Sequence, residues 1–169
     1  MRQAAVLVVG VFVTVCAIGS GAAQAQEETV PANKIPKTVM DALLTRFPRA
    51  MIDKCTRAKE DGEIVYDIEF TQQSGRKGEA DIREAGTYIN FEKEIDAKSL
   101  SRTVRDAVEK RYPKSTLKEV MEETEVKGRN EKRSAYEVVL VTADKKNVEV
   151  RVSPDGRILE DTGATEAKR

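Results

Sequence analysis

The chain has 169 residues, 29 basic and 29 acidic side chains, two cysteines and no histidine. Without histidine it cannot form Ser-His or Cys-His nucleophilic pairs, or any metal site that contains histidine. The formal net charge of zero also argues against general binding to nucleic acid or anionic membranes, which normally leaves a basic excess. The length fits one ordinary domain or two very small halves.

The first 25 residues have the pattern of a cleavable secretory signal peptide. A positive start at Arg2 precedes an apolar run over 4–18, and Ala23 and Ala25 are the small residues that a signal peptidase reads. We expect cleavage after Ala25, which leaves a chain with a net charge of about −1. The exported protein would be periplasmic or extracellular, with no membrane span.

Two other readings of this segment stay open. Residues 4–25 carry no charge, so the segment could be retained as a membrane anchor, although Gly, Ser and Gln near its end weaken the span. Cys16 could carry a lipid, but Val15 breaks the usual pattern around such a cysteine. Cleavage would leave Cys55 as the one mature cysteine, either buried as a small hydrophobic residue or exposed for intermolecular pairing.

Two polar segments flank the folded body of the chain. Residues 26–34 contain a proline and show no periodicity, which predicts a flexible leader. Residues 162–169 have no apolar side chain larger than alanine, which predicts a frayed tail. The folded body is then expected over 35–161.

The folded body contains an internal repeat. Shifted by 65 positions, the segment IPKTVMDA from Ile35 meets LSRTVRDA from Leu100, and further on Arg46-Phe47-Pro48 meets Arg111-Tyr112-Pro113. We therefore predict two tandem repeats, over residues 35–99 and 100–161.

Each repeat begins with a predicted helix. Its apolar residues recur at intervals of four, at Val39, Leu43 and Phe47 and again at Val104, Val108 and Tyr112. Pro48 and Pro113 end the helices, because the residue before a proline avoids the α region.

After each helix apolar and polar residues alternate, which indicates strands with one solvated face. The clearest runs are Ile64, Tyr66, Ile68 and Phe70 and, 70 positions later, Tyr136, Val138 and Leu140. Further strands are predicted over 51–59, 79–83, 87–91, 116–126, 147–152 and 157–159. The polar segment 127–133 is expected to lengthen one hairpin loop.

This order of elements predicts an α+β fold. It consists of two tandem helix-plus-antiparallel-strand repeats, αβββ or αββββ, with the helices packed on an antiparallel sheet. One helix before a run of strands also argues against RNA-binding βαββαβ sheets and parallel nucleotide-binding folds.

The same pattern resembles the PepSY-like domains, in particular the β-lactamase-inhibitor-like group of exported bacterial proteins. The resemblance rests on Ile35-Pro36 with Phe47-Pro48, Leu100 with Tyr112-Pro113, Tyr66-Asp67-Ile68, Tyr136-Glu137-Val138, and closing glycine hairpins at 84–86 and 154–156. It covers most of residues 35–161. The resemblance implies a non-catalytic role without a cofactor, in which the protein binds or inhibits a protein partner such as a peptidase.

Four carboxylates offer an alternative, enzymatic interpretation. Asp67 and Glu69 share one strand face, and Glu79 and Asp81 can join them from the next strand. Such a cluster could serve a carboxylate-based or divalent-metal-dependent hydrolase. A solvated outer sheet face has the same composition, and we favour that interpretation over a catalytic one.

Six residues are candidates for contact with a partner. Four cations, Lys127, Arg129, Lys132 and Arg133, lie within seven positions and could dock an acidic patch, although such runs usually keep a loop soluble. Val139 and Val141 make one strand apolar on both faces, so either another element covers them or they form an open apolar strip. We expect an exported binding module, with a passive component of the cell envelope as the remaining alternative.

Overall fold

The computed structural model describes residues 27–163, which form nine strands and two α-helices. In chain order these elements are β1 (Glu28–Thr29), α1 (Lys37–Arg46), β2 (Met51–Glu60), β3 (Glu63–Thr71), β4 (Lys77–Arg83), β5 (Tyr88–Glu94), α2 (Arg102–Arg111), β6 (Thr116–Lys127), β7 (Asn130–Val141), β8 (Asn147–Val152) and β9 (Ile158–Asp161). We call residues 35–99 and 100–161 the first and second halves. None of the helices in the described part is long and apolar enough to cross a membrane.

The predicted α+β fold class is wrong, because the architecture is dominated by one sheet. All nine strands form a single antiparallel sheet in the order β1 to β9, and each helix has only ten residues. The last strand of the first half, β5, pairs with the first strand of the second, β6. This junction satisfies two strand edges that separate repeats would leave unpaired.

Both helices lie on the same face of the sheet. Val39 and Leu43 of α1 pack against Ile68 and Phe70, and Val104 and Val108 of α2 pack against the second half. The cross-strand register shows that the helix-bearing face is continuous from the first half to the second. One row of directly opposite residues runs across β3 to β7 and consists of Phe70, Gly78, Lys93, Glu122 and Tyr136. The opposite side, which we call the helix-free face, carries the alternate residues of each strand.

Two hydrophobic cores lie beneath the helices, one in each half. Between the two cores, on the helix-bearing face, Glu122 forms two ion pairs. Its Oε1 lies 3.1 Å from Lys93 Nζ, and its Oε2 lies 2.7 Å from Arg133 Nη2. Cys55 lies in the first core, where burial raises the pKa of its thiol to about 11.

The predicted loop over 127–133 differs from the structure. Strands β6 and β7 continue almost to the tip and leave only Gly128 and Arg129 between them, with Gly128 at a φ of 64°. The long hairpin reaches the first half, where Glu131 pairs with Arg46 of α1, which stacks 4.4 Å above the ring of Phe91.

The ends of the folded body also differ from the expected flexible flanks. Within the predicted leader, β1 pairs with β2, and Val30 is buried in the first core. The predicted signal peptide, residues 1–25, lies outside the described residues, as do positions 164–169 of the predicted tail.

Candidate binding surface

The helix-free face carries an unusual row of like charges. Glu69, Glu79, Glu92 and Glu123 are direct cross-strand neighbours on β3, β4, β5 and β6. We call these four residues the carboxylate row. Like charges directly opposite each other destabilise a sheet, so this arrangement needs either cations or protons to offset it.

Cations reach only the two ends of the row within the described residues. At one end, Lys54 Nζ lies 2.7 Å from Glu69 Oε1. At the other end, Arg151 Nε and Nη2 donate to the carboxylate of Glu123 at 2.8 and 2.9 Å. The central side chains, Glu79 and Glu92, have no hydrogen-bond or ion-pair partner in residues 27–163.

A second, shorter row lies beside the first. Asp67 and Asp81 face each other across β3 and β4, and Asn90 Nδ2 donates to Asp81 at 2.8 Å. Asp67 Oδ1 is buried without a hydrogen-bond partner among the described residues. Asp67, Asp81 and Glu79 also line a small cavity at this end of the face. The surface therefore presents acceptors whose hydrogen-bonding capacity is only partly used.

Burial and mutual repulsion both hold these carboxyl groups towards their neutral form. Burial, followed by the charges of Asp67 and Glu92, raises the pKa of Glu79 to about 9. Burial, followed by Glu137 and Glu123, raises the pKa of Glu92 to about 8. The pKa of Asp67 is raised to about 7 by burial first and by Asp81 second.

The second half of the face is less acidic and partly apolar. Val139 and Val141 lie on it, half-buried by their neighbours on β6 and β8. No helix of the described part packs over them, since both helices lie on the other side.

The four predicted cations do not form one patch. Lys127, Lys132 and Arg133 are exposed on the hairpin strands and Arg129 is exposed in the turn. Arg133 turns to the helix-bearing face, where it binds Glu122 and stacks over Tyr136 at 5.5 Å. Lys127 pairs with Glu125 at 2.7 Å. Alternation along β7 sends Lys132 to the helix-free face, opposite Glu125.

The sequence singled out Asp67, Glu69, Glu79 and Asp81, and the structure brings these four together. It missed Glu92 and Glu123, which continue the row into the second half. The sequence did place Glu92 and Glu94 two residues apart, and within one strand this spacing indicates that they share one face of the sheet. Their alignment with Glu79 depends on register across two strand pairs, which sequence periodicity does not give.

The enzymatic interpretation of these carboxylates finds no metal-binding geometry. Within residues 27–163, no group of three or more His, Cys, Asp or Glu side chains is placed so that it could hold a metal ion. The four carboxylates lie two on β3 and two on β4, spread over an open sheet face.

Comparisons with known proteins show similarity at the level of fold. No protein-family model matches the sequence, and no curated protein has significant sequence similarity to it. A BLIP-like protein from Bacteroides fragilis is 20% identical, with a TM-score of 0.51 over 79% of this chain and 86% of its own. A protein from Bacteroides eggerthii, provisionally assigned to the periplasm, is 12% identical, with a TM-score of 0.55 over 75% of this chain and 87% of its own. A DUF2874 family protein from Bacteroides uniformis is 16% identical, with a TM-score of 0.53 over 75% of this chain and 87% of its own. The chain therefore shares its fold with BLIP-like and DUF2874 structures.

Proposed function

We propose that the protein is an exported, non-catalytic binding module of the PepSY-like, β-lactamase-inhibitor-like type. It binds a protein or peptide of the cell envelope through the helix-free face of its sheet. The partner presents lysine or arginine side chains to the carboxylate row and an apolar contact to Val139 and Val141.

The observation that carries this proposal is the pair Glu79 and Glu92. Both carboxyl groups are partly buried, both lie on a face that no helix covers, and neither forms an ion pair with a cation of the described residues. A cation supplied from outside favours the ionised form of such carboxyl groups, and the charge-assisted hydrogen bonds that it then forms are about twice as strong as neutral ones. A guanidinium or ammonium group of a partner fits that requirement.

The shape of the surface also supports binding to another protein. The helix-free face extends over β2 to β8 and combines half-buried valines with acidic groups that can give electrostatic complementarity to a basic partner. At one border, Lys132 offers a cation next to Glu125, which adds a place for an acidic group of the partner. The fold shared with a BLIP-like protein is compatible with a binding role by analogy of fold alone.

A binding experiment with charge-reversed variants tests the proposal. Residues 26–169 are immobilised and exposed to an envelope extract of the exporting cell, and the captured proteins are identified by mass spectrometry. The double variant Glu79→Lys, Glu92→Lys reverses the centre of the row and should reduce capture of a specific partner at least tenfold. In this variant the side chain at position 79 faces Glu69 and the side chain at position 92 faces Glu123, but the two new cations also face each other across β4 and β5. Circular dichroism therefore checks first that the variant is folded.

The matched control is Glu109→Lys on the exposed surface of α2, which makes the same charge change away from the face. This control should capture the partner as the unmodified protein does. Equal capture by all three proteins, or no specific capture, would argue for a passive envelope component. Intact mass of the exported protein tests the predicted cleavage after Ala25.

Inhibition of the partner is the further part of the proposal. If the captured protein is a peptidase or another hydrolase, its activity is measured with increasing amounts of the module. The expected result is saturable inhibition that the charge-reversed variant loses. Full partner activity at saturation would leave a binding module that does not inhibit.

A further inference from the structure

The carboxylate row crosses the place where the two halves of the sheet are joined. The halves meet through the pairing of β5 with β6, from Asn90 opposite Glu125 to Glu94 opposite Met121. In the middle of this junction Glu92 lies directly opposite Glu123. Phe91 of β5 belongs to the first core and Val120 of β6 to the second, so the junction lies between the two hydrophobic cores.

We propose that the carboxylate row is a proton-sensitive element: protonated, it holds the two halves together, and ionised, it loosens their junction. Neutral carboxyl groups on adjacent strands can donate an O–H to the neighbouring carboxylate, which replaces repulsion by a hydrogen bond. Ionised groups in the same register repel each other across every strand pair of the row.

The surroundings of Glu92 offset its charge only in part, because the charge of Arg151 lowers its pKa less than burial, Glu137 and Glu123 raise it. The groups that face it or lie diagonal to it are Glu79, Asp81 and Lys77 on β4, Asn90 and Glu94 on its own strand, Met121, Glu123 and Glu125 on β6, Glu137 on β7 and Arg151 on β8. The two cations in this set are engaged elsewhere: Lys77 binds Glu119 at 2.6 Å, and Arg151 binds Glu123 and Glu160.

The surroundings of Glu79 are similar. Glu69 faces it from β3, with Asp67 and Thr71 diagonal to it, and Glu92 faces it from β5, with Asn90 and Glu94 diagonal. The nearby cation of β2, Lys54, is bound to Glu69. Burial is the first cause that raises the pKa values of Glu79 and Glu92, and neighbouring carboxylates are the second.

The direction of the pH effect follows from proton linkage. A carboxyl group with a pKa above its ordinary value of 4.5 in the folded protein binds protons that the unfolded chain has already released. Its stabilising contribution is complete at low pH and is lost as the pH rises through the folded-state pKa. For Glu92 and Glu79 this loss is expected between about pH 5 and pH 9.

The test is urea unfolding of residues 26–169 at several pH values from 5.5 to 9. Each proton held by the folded state alone lowers the folded-to-unfolded ratio about tenfold per pH unit. We expect a ratio that falls steadily over this range. The variant Glu92→Gln, which is neutral at every pH, should show a shallower fall and exceed the unmodified protein in stability at pH 9.

The control variant is Glu109→Gln on α2, which should keep the slope of the unmodified protein. Should Glu92→Gln fail to fold, carbon NMR of the unmodified protein reports the titration of the Glu92 carboxyl group directly, with an expected midpoint well above 4.5. A ratio that stays constant from pH 5.5 to 9, or a Glu92 midpoint near 4.5, overturns the proposal.

This inference concerns the same face as the proposed binding function, but the two fail separately. The pH dependence is measured on the isolated protein, so it stands or falls without any partner. If the pH dependence is present and no partner is captured, the binding proposal alone is lost. If a partner is captured and stability does not depend on pH, the proton-sensitive element alone is lost.

Discussion

In the first half of the sheet Phe70 lies opposite Gly78, and at the equivalent place in the second half Leu140 lies opposite Val148. A Cβ atom at Gly78 would lie 2.4 Å from Cζ of Phe70, so the ring occupies the space of the missing side chain. A large and a minimal residue in one half thus correspond to two branched residues in the other. Similar strand frames tolerate different residues as long as the summed volume of the pair is kept.

The helix-free faces of the two halves differ in charge instead of volume. In the first half, acids oppose acids on β3 and β4, at Asp67 with Asp81 and Glu69 with Glu79. In the second half, Glu137 lies opposite Arg151, so an acid there has a basic neighbour. The helix-bearing face fixes the fold in both halves, which leaves the other face free to diverge.

The largest expected effect comes from breaking the volume compensation. Gly78→Val places a branched side chain in the space that the fully buried ring of Phe70 occupies. We expect this overpacking to lower the free energy of unfolding by about 3 kcal/mol. Adding Phe70→Leu in the same chain copies the pair of the second half and should recover most of this loss. Urea unfolding of both variants, with Phe70→Leu alone as the control, measures the coupling. Additive losses in the double variant would show that the two positions do not compensate each other.

A smaller effect is expected from removing the cation that neutralises the second-half end of the row. Arg151→Met leaves the carboxylate of Glu123, whose side chain is 11% exposed, with Ser134 as its remaining donor. The free energy of unfolding at pH 7 should fall by about 2 kcal/mol, since a largely buried charge loses its partner. Arg157→Met removes an exposed ion pair with Asp155 and serves as the control, with an expected loss below about 0.5 kcal/mol. Equal losses in the two variants would contradict the role assigned to Arg151.

The smallest effect concerns how the two helices begin. Ser101 caps α2, because its Oγ accepts a hydrogen bond from the backbone N–H of Val104 at 3.3 Å, whereas Pro36 at the start of α1 makes no side-chain cap. Ser101→Ala should therefore cost about 1 kcal/mol, and Ser101→Asp, which keeps an acceptor, should stay near the unmodified protein. Thermal unfolding of the two variants distinguishes a lost cap from a general sensitivity of this position.

Local patterns predicted the elements better than their assembly. Helices α1 and α2 end at Arg46 and Arg111, two residues before Pro48 and Pro113, as predicted, and the alternating run from Ile64 to Phe70 lies within β3. Periodicity carries this information because burial on one face imposes it residue by residue. The hairpin 127–133 was predicted as a loop because its charged residues show no alternation, but strand pairing continued through them.

The candidate surface could be predicted only in part. Four of its carboxylates follow from alternation within single strands, whereas the extension through Glu92 and Glu123 requires the β4–β5 and β5–β6 registers. A register slip of one residue would send Glu92 to the opposite face, so no count along one strand can place it.

The amino-acid sequence by itself determined the repeated order of helix and strands, the identity of most core residues and the absence of histidine chemistry. The tertiary structure decided that the two halves join with β1 in one nine-stranded sheet and that their acidic residues align into a row across the junction. The physical reason is that hydrophobic periodicity is a property of one segment, while edge pairing and register are set between segments far apart in the chain.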